Sequence, residues 1–329
     1  MPYSADIVRR ARARLAQQKA DKESVYRQHL AHAYDAVPRL KEIDLSLRKS
    51  MALVVQTVFD KSDEAREAML QVKLANMELQ KEREALVSGN FPPDFLDESP
   101  VCTNCGGSGY VGSSMCHCLT ALCQQEQKAE ITRLTSGAER FDTFRLDYYS
   151  DVTDSRYGAS PRVIMKKNLE YCQRYAQSFA HGSGNLLFVG NTGLGKTFLS
   201  ACIANVVAQQ GHSVAYESAP HLIAKLEKDR FNPDEASHEQ VRKFSECDLL
   251  IIDDLGTEMP GNFVTAALYS LINDRLLNDK SMIISTNLNI EEITKRYSPQ
   301  IASRLQGGFK GLTFVGEDIR VLKSRGVLV

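Results

Sequence analysis

The spacing of hydrophobic residues divides the chain into a helical first part and an alternating second part. Residues 4–88 are rich in Ala, Leu, Gln, Glu, Lys and Arg, and the first glycine is Gly89. We predict two or three long helices here, interrupted near Pro38 and near residues 60–62. Within residues 62–86, helical spacing puts an apolar stripe on one face, formed by Ala65, Ala68, Met69, Val72, Ala75 and Leu79. Such a stripe packs either within a helical hairpin or against a partner's helices, and both interpretations stay open.

From Arg162 onward the pattern changes to short apolar runs separated by helical stretches. The runs read NLLFVG, SVAYES, LLIIDD and SMIISTN. Strands at this spacing indicate a parallel sheet covered by helices on both faces. The second part is therefore predicted to be an α/β domain.

Breaker residues mark the predicted domain boundaries. The stretch SGNFPPDFLD, residues 88–97, ends the helices with Gly, Asn and a Pro pair, and a Gly/Ser/Pro turn follows at residues 158–161. We predict an N-terminal helical domain at 1–97, a small cysteine-rich module at 98–123, a linker at 124–160 and an α/β domain at 161–329.

Composition limits the classes of function only weakly. The 40 basic residues balance 41 acidic ones, so bulk charge gives no argument for nucleic acid. Apolar runs fall short of the roughly 18 residues of a membrane span, and we expect a cytoplasmic protein without a membrane partner. Because cytosolic thiols are reduced, clustered cysteines indicate a metal site before a disulfide.

A cysteine-rich segment, CTNCGGSGYVGSSMCHC, follows the first boundary. Cys102 and Cys105 form a C-x2-C pair, and Cys116 and Cys118 supply a second pair, with glycines between them for tight turns. Four thiolates would complete a structural Zn²⁺ site. The identity of the fourth ligand stays open among Cys118, Cys116, His117 and Cys123, and Cys118 is our prediction. The alternatives to zinc are free thiols or an iron–sulfur site.

The strongest motif is a phosphate-binding loop that follows the first strand of the second part. It comprises Gly190, Asn191, Thr192, Gly193, Leu194, Gly195, Lys196 and Thr197. This G-x-x-x-x-G-K-T pattern lies between an apolar strand and a helix, so backbone N–H groups can surround the phosphates of ATP. Lys196 is predicted to reach the β- and γ-phosphates and Thr197 to hold Mg²⁺.

The run LLIIDD predicts a buried strand that ends in two aspartates, which form the second part of the nucleotide site. Asp253 is predicted to hold Mg²⁺. Asp254 follows where related ATPases commonly carry a Glu that orients the attacking water; its shorter side chain predicts slow, switch-like turnover. Glu258 is a less favoured substitute. Asn287 ends the SMIIST run, where its amide would contact the γ-phosphate or the water, although it can also be an ordinary turn residue.

Two arginines in RYSPQIASRLQGG are candidates for action on a neighbouring subunit. Arg304 and, less favoured, Arg296 could each place a guanidinium in the nucleotide site of the next subunit, which requires an oligomer. Both can also be solvated surface residues.

These motifs resemble the AAA+ ATPases and, within them, the bacterial replicative-helicase loaders of the DnaC/DnaI type. The resemblance covers residues 141–329, with Asn287 as sensor 1, Arg304 in the arginine-finger box and a sensor-2-like GEDIR ending in Arg320. It implies a five-stranded parallel sheet in which the sensor-1 strand lies between the Walker A and Walker B strands. Only 25 residues follow Arg304, since 329 − 304 = 25, so we expect no C-terminal lid.

The resemblance also implies partners: a DnaB-type replicative helicase, single-stranded DNA and further copies of the chain assembled with ATP. The segment HLIAKLEKDRFNP offers Lys225, Lys228, Arg230 and Phe231 for DNA, although a charged surface helix is the favoured interpretation. Two other functions stay open, a transposition-helper ATPase of the IstB type and a nucleotide-gated binding module without productive hydrolysis.

Overall fold

The computed structural model describes residue 3 and residues 5–57, 63–134 and 139–325. The chain forms two compact units. One, here called the sheet unit, contains Met1–Arg12 and Leu119–Val329; the other, the helical unit, contains Ala13–Cys118. This division differs from the predicted domains at the N-terminus, where Tyr3, Ile7 and Ala11 are buried as part of the sheet unit.

Three long helices form most of the first third of the chain: α1 (Ala5–Ala36), α2 (Pro38–Thr57) and α3 (Asp63–Asn90). The break predicted near Pro38 is confirmed, because Pro38 is the first residue of α2, where a missing N–H costs no helical bond. The second predicted break, at residues 60–62, lies outside the described residues. A two-stranded hairpin of β1 (Tyr110–Val111) and β2 (Ser114–Met115) follows.

A shared carboxylate ties the three helices of the helical unit together. Asp44 of α2 accepts hydrogen bonds from Tyr34 of α1 and from Arg83 of α3, both at 2.8 Å. A second contact joins α2 and α3, where Ser50 donates to Asn76 at 2.8 Å. Side-chain hydrogen bonds therefore join α2 to both α1 and α3.

The predicted stripe of α3 is only partly right. Met69, Val72 and Leu79 are half-buried, but Ala75 is exposed because the inner face turns to Asn76, which bonds to α2. The side chains of Ala65 and Ala68 lie outside the described residues. A different apolar row, Leu70, Leu74 and Met77, is 46–54% exposed.

The sheet unit alternates strands and helices as predicted. After α4 (His117–Leu134), which begins at the edge of the helical unit, come short 3-10 turns at Phe141–Thr143 and Leu146–Tyr148. The remaining elements are α5 (Pro161–Gln177), β3 (Asn185–Val189), α6 (Lys196–Gln209), β4 (Val214–Ser218), α7 (Ala219–Phe231), α8 (Glu235–Glu246), β5 (Leu249–Leu255), α9 (Asn262–Leu277), β6 (Ser281–Thr286), α10 (Ile290–Arg296), α11 (Pro299–Gly308), β7 (Phe309–Thr313) and α12 (Ile319–Ser324).

Five parallel strands form one sheet in the order β4-β5-β6-β3-β7. The α/β fold is confirmed, and β6 lies between the Walker A strand β3 and the Walker B strand β5, as the resemblance implied. All four apolar runs are strands. The fifth strand, β7, was not located from the sequence because FKGLT has only one fully buried side chain.

Alternate residues of the strands face two separate cores. Leu186 and Phe188 enter the core that contains α5 and α6, whereas Leu187 enters the core that contains α7, α9 and α11. This two-sided burial accounts for the continuous apolar runs in the sequence. It also holds the carboxyl ends of β3, β5 and β6 side by side. No helix in the described residues combines the length and apolarity needed to cross a bilayer.

Candidate nucleotide-binding site and cysteine cluster

The phosphate-binding loop joins β3 to α6 at the carboxyl edge of the sheet. Gly195 caps α6 with φ of 87°, and Gly193 has φ of 73°, a backbone region that glycine adopts without strain. A Cβ on Gly193 would also lie 1.9 Å from the Asp318 carboxylate, and one on Gly195 would lie 3.0 Å from the Tyr149 hydroxyl. Glycine is therefore required at both positions by conformation and by space.

Lys196 is held inside the loop. Its Nζ donates to the carbonyl oxygens of Gly190 at 2.6 Å and Asn191 at 2.7 Å, and the residue is 5% exposed. Burial lowers the pKa of Lys196, and the charges of Asp254 and Asp253 oppose that shift. The ammonium lies at the point where the phosphates of a nucleotide would meet the two acidic residues.

The two Walker B carboxylates have different surroundings. Asp253 is 6% exposed and accepts hydrogen bonds from the hydroxyl of Tyr216, at 3.0 Å, and from that of Ser285. Asp254 has φ of 56° and lines the cavity beside the loop. Partial burial and then the neighbouring Asp253 charge raise the pKa of Asp254, and Lys196 acts against this.

A cavity of about 350 Å³ opens along the loop between Thr192 and Phe198. Aromatic side chains of the segment that we had predicted to be a linker form one wall: Phe144, Tyr148 and Tyr149. Phe144 also packs against Phe198, with ring centroids 5.7 Å apart. This part of the predicted linker thus belongs to the site, because its aromatic rings pack on the loop.

Arg320 lies on the same cavity, at the start of α12. The N–H of Ile319 donates to the carbonyl of Gly193 at 3.0 Å, and this bond docks the C-terminal segment on the loop. The position agrees with the sensor-2-like prediction for Arg320, whose role stays a prediction. Asn287 is exposed just after β6 and is not among the described residues that line the cavity.

The remaining candidates lie on the other face of the sheet. Arg304 donates to the Tyr269 hydroxyl at 2.8 Å, with its guanidinium carbon 4.8 Å from the centre of that ring. Glu258 is 4% exposed and accepts from the Gly256 N–H at 3.0 Å and from the Tyr297 hydroxyl. Arg296 also pairs with Glu258. Glu258 and Arg296 therefore make contacts with each other and with neighbouring residues of the same chain.

Three side chains at the site were not predicted from the sequence: Tyr216, Ser285 and Tyr149. The hydroxyl of Tyr149 donates to the carbonyl of Leu194 at 3.0 Å and so holds the phosphate-binding loop in place. Tyr216 and Ser285 carry hydroxyls at buried positions of β4 and β6, and a hydroxyl inside a buried strand is the signal that could have found them. Buried hydroxyls need partners, and here the partner is Asp253.

The cysteine segment brings the four predicted thiols together. The Sγ atoms of Cys102, Cys105, Cys116 and Cys118 all lie within 4.8 Å of one another. His117 is nearby, with Nδ1 3.5 Å from the Sγ of Cys116, but it is not a member of the group. Cys123 lies on α4 within the sheet unit. The donor set fits a tetrahedral Zn²⁺ site.

The sheet order, the glycine loop and the paired aspartates define a P-loop nucleotide-binding domain of the AAA+ class. The family model for the IstB-like ATP binding protein matches residues 112–303. That match covers more than half of the chain, and the chain belongs to this family. The resemblance drawn from the motifs is thereby confirmed at the level of an ATP-binding family.

Two of the curated relatives illustrate the range of names among proteins similar to this chain. The replicative helicase loader DnaC of Escherichia coli (strain K12) is 27% identical over 141 residues, which is 43% of this chain and 57% of the relative. The insertion sequence IS21 putative ATP-binding protein of Pseudomonas aeruginosa is 26% identical over 215 residues, 63% of this chain and 79% of the relative. A crystal structure of the DnaC helicase loader is 20% identical in sequence, with a TM-score of 0.44. The matched region covers 54% of this chain and 100% of the DnaC chain.

Proposed function

We propose that the protein is an ATP-dependent loader that places a DnaB-type replicative helicase on single-stranded DNA, with ATP binding and slow hydrolysis as a switch. The observation that carries the proposal is the combination, in one chain, of a Walker site with a separate helical unit that ends in a four-cysteine cluster. Similarity to a protein named as a replicative helicase loader supports it.

In this proposal the nucleotide site works as an AAA+ switch. Residues 190–197 bind the phosphates, and Lys196 exchanges its two carbonyl contacts for phosphate oxygens. Thr197 and Asp253 hold Mg²⁺, a cation that prefers such oxygen donors and would polarise the γ-phosphate. Asp254, which lines the cavity, orients the attacking water, and Asn287, which follows β6 outside the cavity lining, is proposed to assist it once nucleotide is bound. The position of Arg320 on the cavity supports a contact with the nucleotide.

Arg304 is proposed to act on the nucleotide of the next subunit in an ATP-dependent homo-oligomer. Tyr269 holds its guanidinium by a hydrogen bond and by ring contact. Because Arg304 would act in trans, mixing Arg304→Ala with Lys196→Ala subunits should restore turnover that neither variant has alone. Turnover that stays absent in the mixture would contradict the proposal.

The cysteine cluster is proposed to bind one Zn²⁺ as a structural site. All four thiols are used as ligands, so the metal has no open position for a substrate. The N–H of Gly109 donates to the Sγ of Cys105 at 3.3 Å, which stabilises a thiolate there. Zinc would join the turn that precedes the β1–β2 hairpin, at Cys102 and Cys105, to the residues that follow the hairpin, Cys116 and Cys118.

The proposed DNA contact excludes two of the four residues that the sequence suggested. Lys225 pairs with Glu217 and Lys228 with Asp234, so their charges are largely neutralised within the chain. Phe231 is 71% exposed, and its ring lies 5.3 Å from that of Phe263 on α9. We propose that Arg230 and this aromatic pair contact the backbone and bases of single-stranded DNA.

The helicase is proposed to dock on the exposed row of α3, which consists of Leu70, Leu74 and Met77. Its members are spaced by four and three residues, which is the pattern of an amphipathic helix that packs against a partner's helices. Lys73 and Glu78 flank the row and leave it without a dominant charge.

The test is size-exclusion chromatography with light scattering of the full chain mixed with its host's replicative helicase, with and without ATP. A complex that forms with the wild type and is lost in Leu70→Ser/Leu74→Ser supports the loader. The matched control is Leu277→Ser, which replaces a leucine that is 76% exposed on α9. Absence of a wild-type complex in both nucleotide conditions would contradict the proposal.

One observation favours a second candidate, a transposition-helper ATPase. The IS21 relative aligns with a larger share of this chain than the DnaC relative does. A complex with a transposase in place of the helicase, measured in the same way, would favour it. A third candidate, a nucleotide-gated module without hydrolysis, rests on the short side chain of Asp254. Equal phosphate release by the wild type and Asp253→Ala would favour that module.

A further inference from the structure

The pairing of the Walker B strand, β5, is irregular near its carboxyl end. Regular pairing of β5 with β6 runs to Ile252 opposite Ile284 and resumes at Leu255 opposite Thr286. Two residues on β5, Asp253 and Asp254, therefore face one residue on β6, which is Ser285. This two-against-one arrangement is a β-bulge, a feature that redirects side chains.

The bulge depends on a residue in a costly backbone conformation. Asp254 has φ of 56°, in the left-handed region that most residues avoid and aspartate tolerates. Its N–H donates to the Oγ of Ser285 at 2.9 Å. That bond replaces the ladder hydrogen bond that the bulge removes, so it holds Asp254 in this conformation.

The hydroxyl of Ser285 serves both carboxylates in a defined direction. A backbone N–H can only donate, so Oγ accepts from Asp254, and its single proton is left for Oδ1 of Asp253. The other oxygen, Oδ2 of Asp253, accepts from the Tyr216 hydroxyl at 3.0 Å. Ser285 is fully buried and Tyr216 is 6% exposed, so water does not compete for these bonds.

The outcome is that neighbouring carboxylates have separate positions. In a regular strand Asp253 and Asp254 would point to opposite faces of the sheet. Here Asp253 is held between β4 and β6, while Asp254 lines the cavity beside Lys196. Asp254 thus lines the cavity itself, while Asp253 lies buried next to it and still acts on the charge of Lys196.

We propose that Ser285 is a positioning residue that sets both Walker B carboxylates, and that Tyr216 holds the Asp253 carboxylate from the opposite side. The inference rests on the proposed ATP switch and deepens it. Neither residue is among those that line the nucleotide cavity, so both act through the aspartates. Their loss should therefore weaken the Mg²⁺-dependent part of ATP binding and spare the part that the glycine loop supplies.

The experiment measures ATP affinity of the full-length protein by calorimetry, with MgCl₂ and with EDTA, together with the turnover number. For Ser285→Ala we expect the affinity in EDTA to stay within about twofold of wild type. The gain in affinity from Mg²⁺ should fall roughly tenfold, and turnover should fall at least as much, since a hydrogen bond to a charged group is lost.

Two further variants keep the test decisive. Ser281→Ala removes another buried hydroxyl from the opposite end of β6 and should leave the Mg²⁺ gain unchanged. Tyr216→Phe should reduce the gain less than Ser285→Ala, because it touches Asp253 alone, and it carries the test if Ser285→Ala does not fold. A Mg²⁺ gain at the wild-type level in both site variants would overturn the inference, and so would equal losses with MgCl₂ and with EDTA.

These outcomes are independent of helicase binding. A wild type that forms no helicase complex but shows the expected Mg²⁺ gain would contradict the loader and leave the positioning role intact. A wild type whose ATP affinity does not respond to Mg²⁺ would overturn the positioning role, whatever partner it binds.

Discussion

The sheet unit and the helical unit of this protein are held together by different forces. The sheet unit buries two apolar clusters, one on each face of its sheet. The described residues of the helical unit bury few apolar side chains: Leu15, Ala33, Leu40, Ile43, Cys102 and Cys116. Cross-helix polar contacts and the cysteine cluster take their place. Burial of apolar area stabilises the first unit, whereas the second depends on groups that titrate, oxidise or bind metal.

The largest expected difference between the units concerns metal removal. The full chain should contain about one zinc, and Cys105→Ser should abolish its binding. Because metal-binding free energy becomes folding free energy, on the order of 10 kcal/mol in small zinc peptides, hydrogen exchange should increase across residues 98–118. β3, β5 and β6 should keep their protection. The control is Cys247→Ser, which replaces a cysteine outside the cluster. A metal-free protein with wild-type exchange in the cysteine segment would contradict the zinc assignment.

The second prediction is confined to the sheet unit. Lys196→Ala should reduce ATP turnover by about 100-fold or more, because a preorganised charge at the phosphates is lost. Hydrogen exchange in α2 and α3 should not change. Lys225→Ala is the matched control, since that lysine is paired with Glu217 and lies outside the nucleotide cavity. Turnover of Lys196→Ala within a few-fold of wild type would contradict the role of Lys196.

The third prediction compares two ion pairs inside the helical unit. Arg83 and Asp44 are largely shielded, with side chains 23% and 14% exposed, and Arg83→Ala should cost about 1–3 kcal/mol of unfolding free energy. Arg39 pairs with Glu82 in the open, and Arg39→Ala should leave stability unchanged within error. Denaturation followed by circular dichroism checks both. Equal effects of the two variants would mean that the Asp44 network does not join the helices.

The smallest expected effect is a shift in the pH dependence of ATP turnover. The pKa of Asp254 is raised by burial and by Asp253, while the positive charge of Arg320 lowers it. Arg320→Met removes that opposing charge, so the pKa of Asp254 should rise further. If the ionised carboxylate orients the water, the acid limb of the turnover profile should move to higher pH. Arg325→Met is the control. An unshifted or downward-shifted acid limb would contradict the role of Asp254.

Prediction from the sequence succeeded where a short stretch of sequence is enough to determine the structural feature. The strands β3 to β6 are apolar runs because both their faces are buried, and the glycine loop has a spacing that few other structures use. The four cysteines also lie within 17 residues of sequence, so a local turn is enough to gather them. Prediction was weaker for β7 and for Ala75, where the pattern of burial depends on neighbouring elements.

The sequence by itself determined the class of the sheet unit, the nucleotide loop, the paired aspartates and the cysteine cluster, because these depend on short-range spacing and on backbone geometry. The tertiary structure alone decided that β6 presents Ser285 to a bulge, that Tyr216 reaches Asp253 from β4, and that side chains of residues 143–149 line the nucleotide cavity. These contacts join residues far apart in the chain. Their partners are selected by the order of strands and by the need of buried hydroxyls for hydrogen bonds.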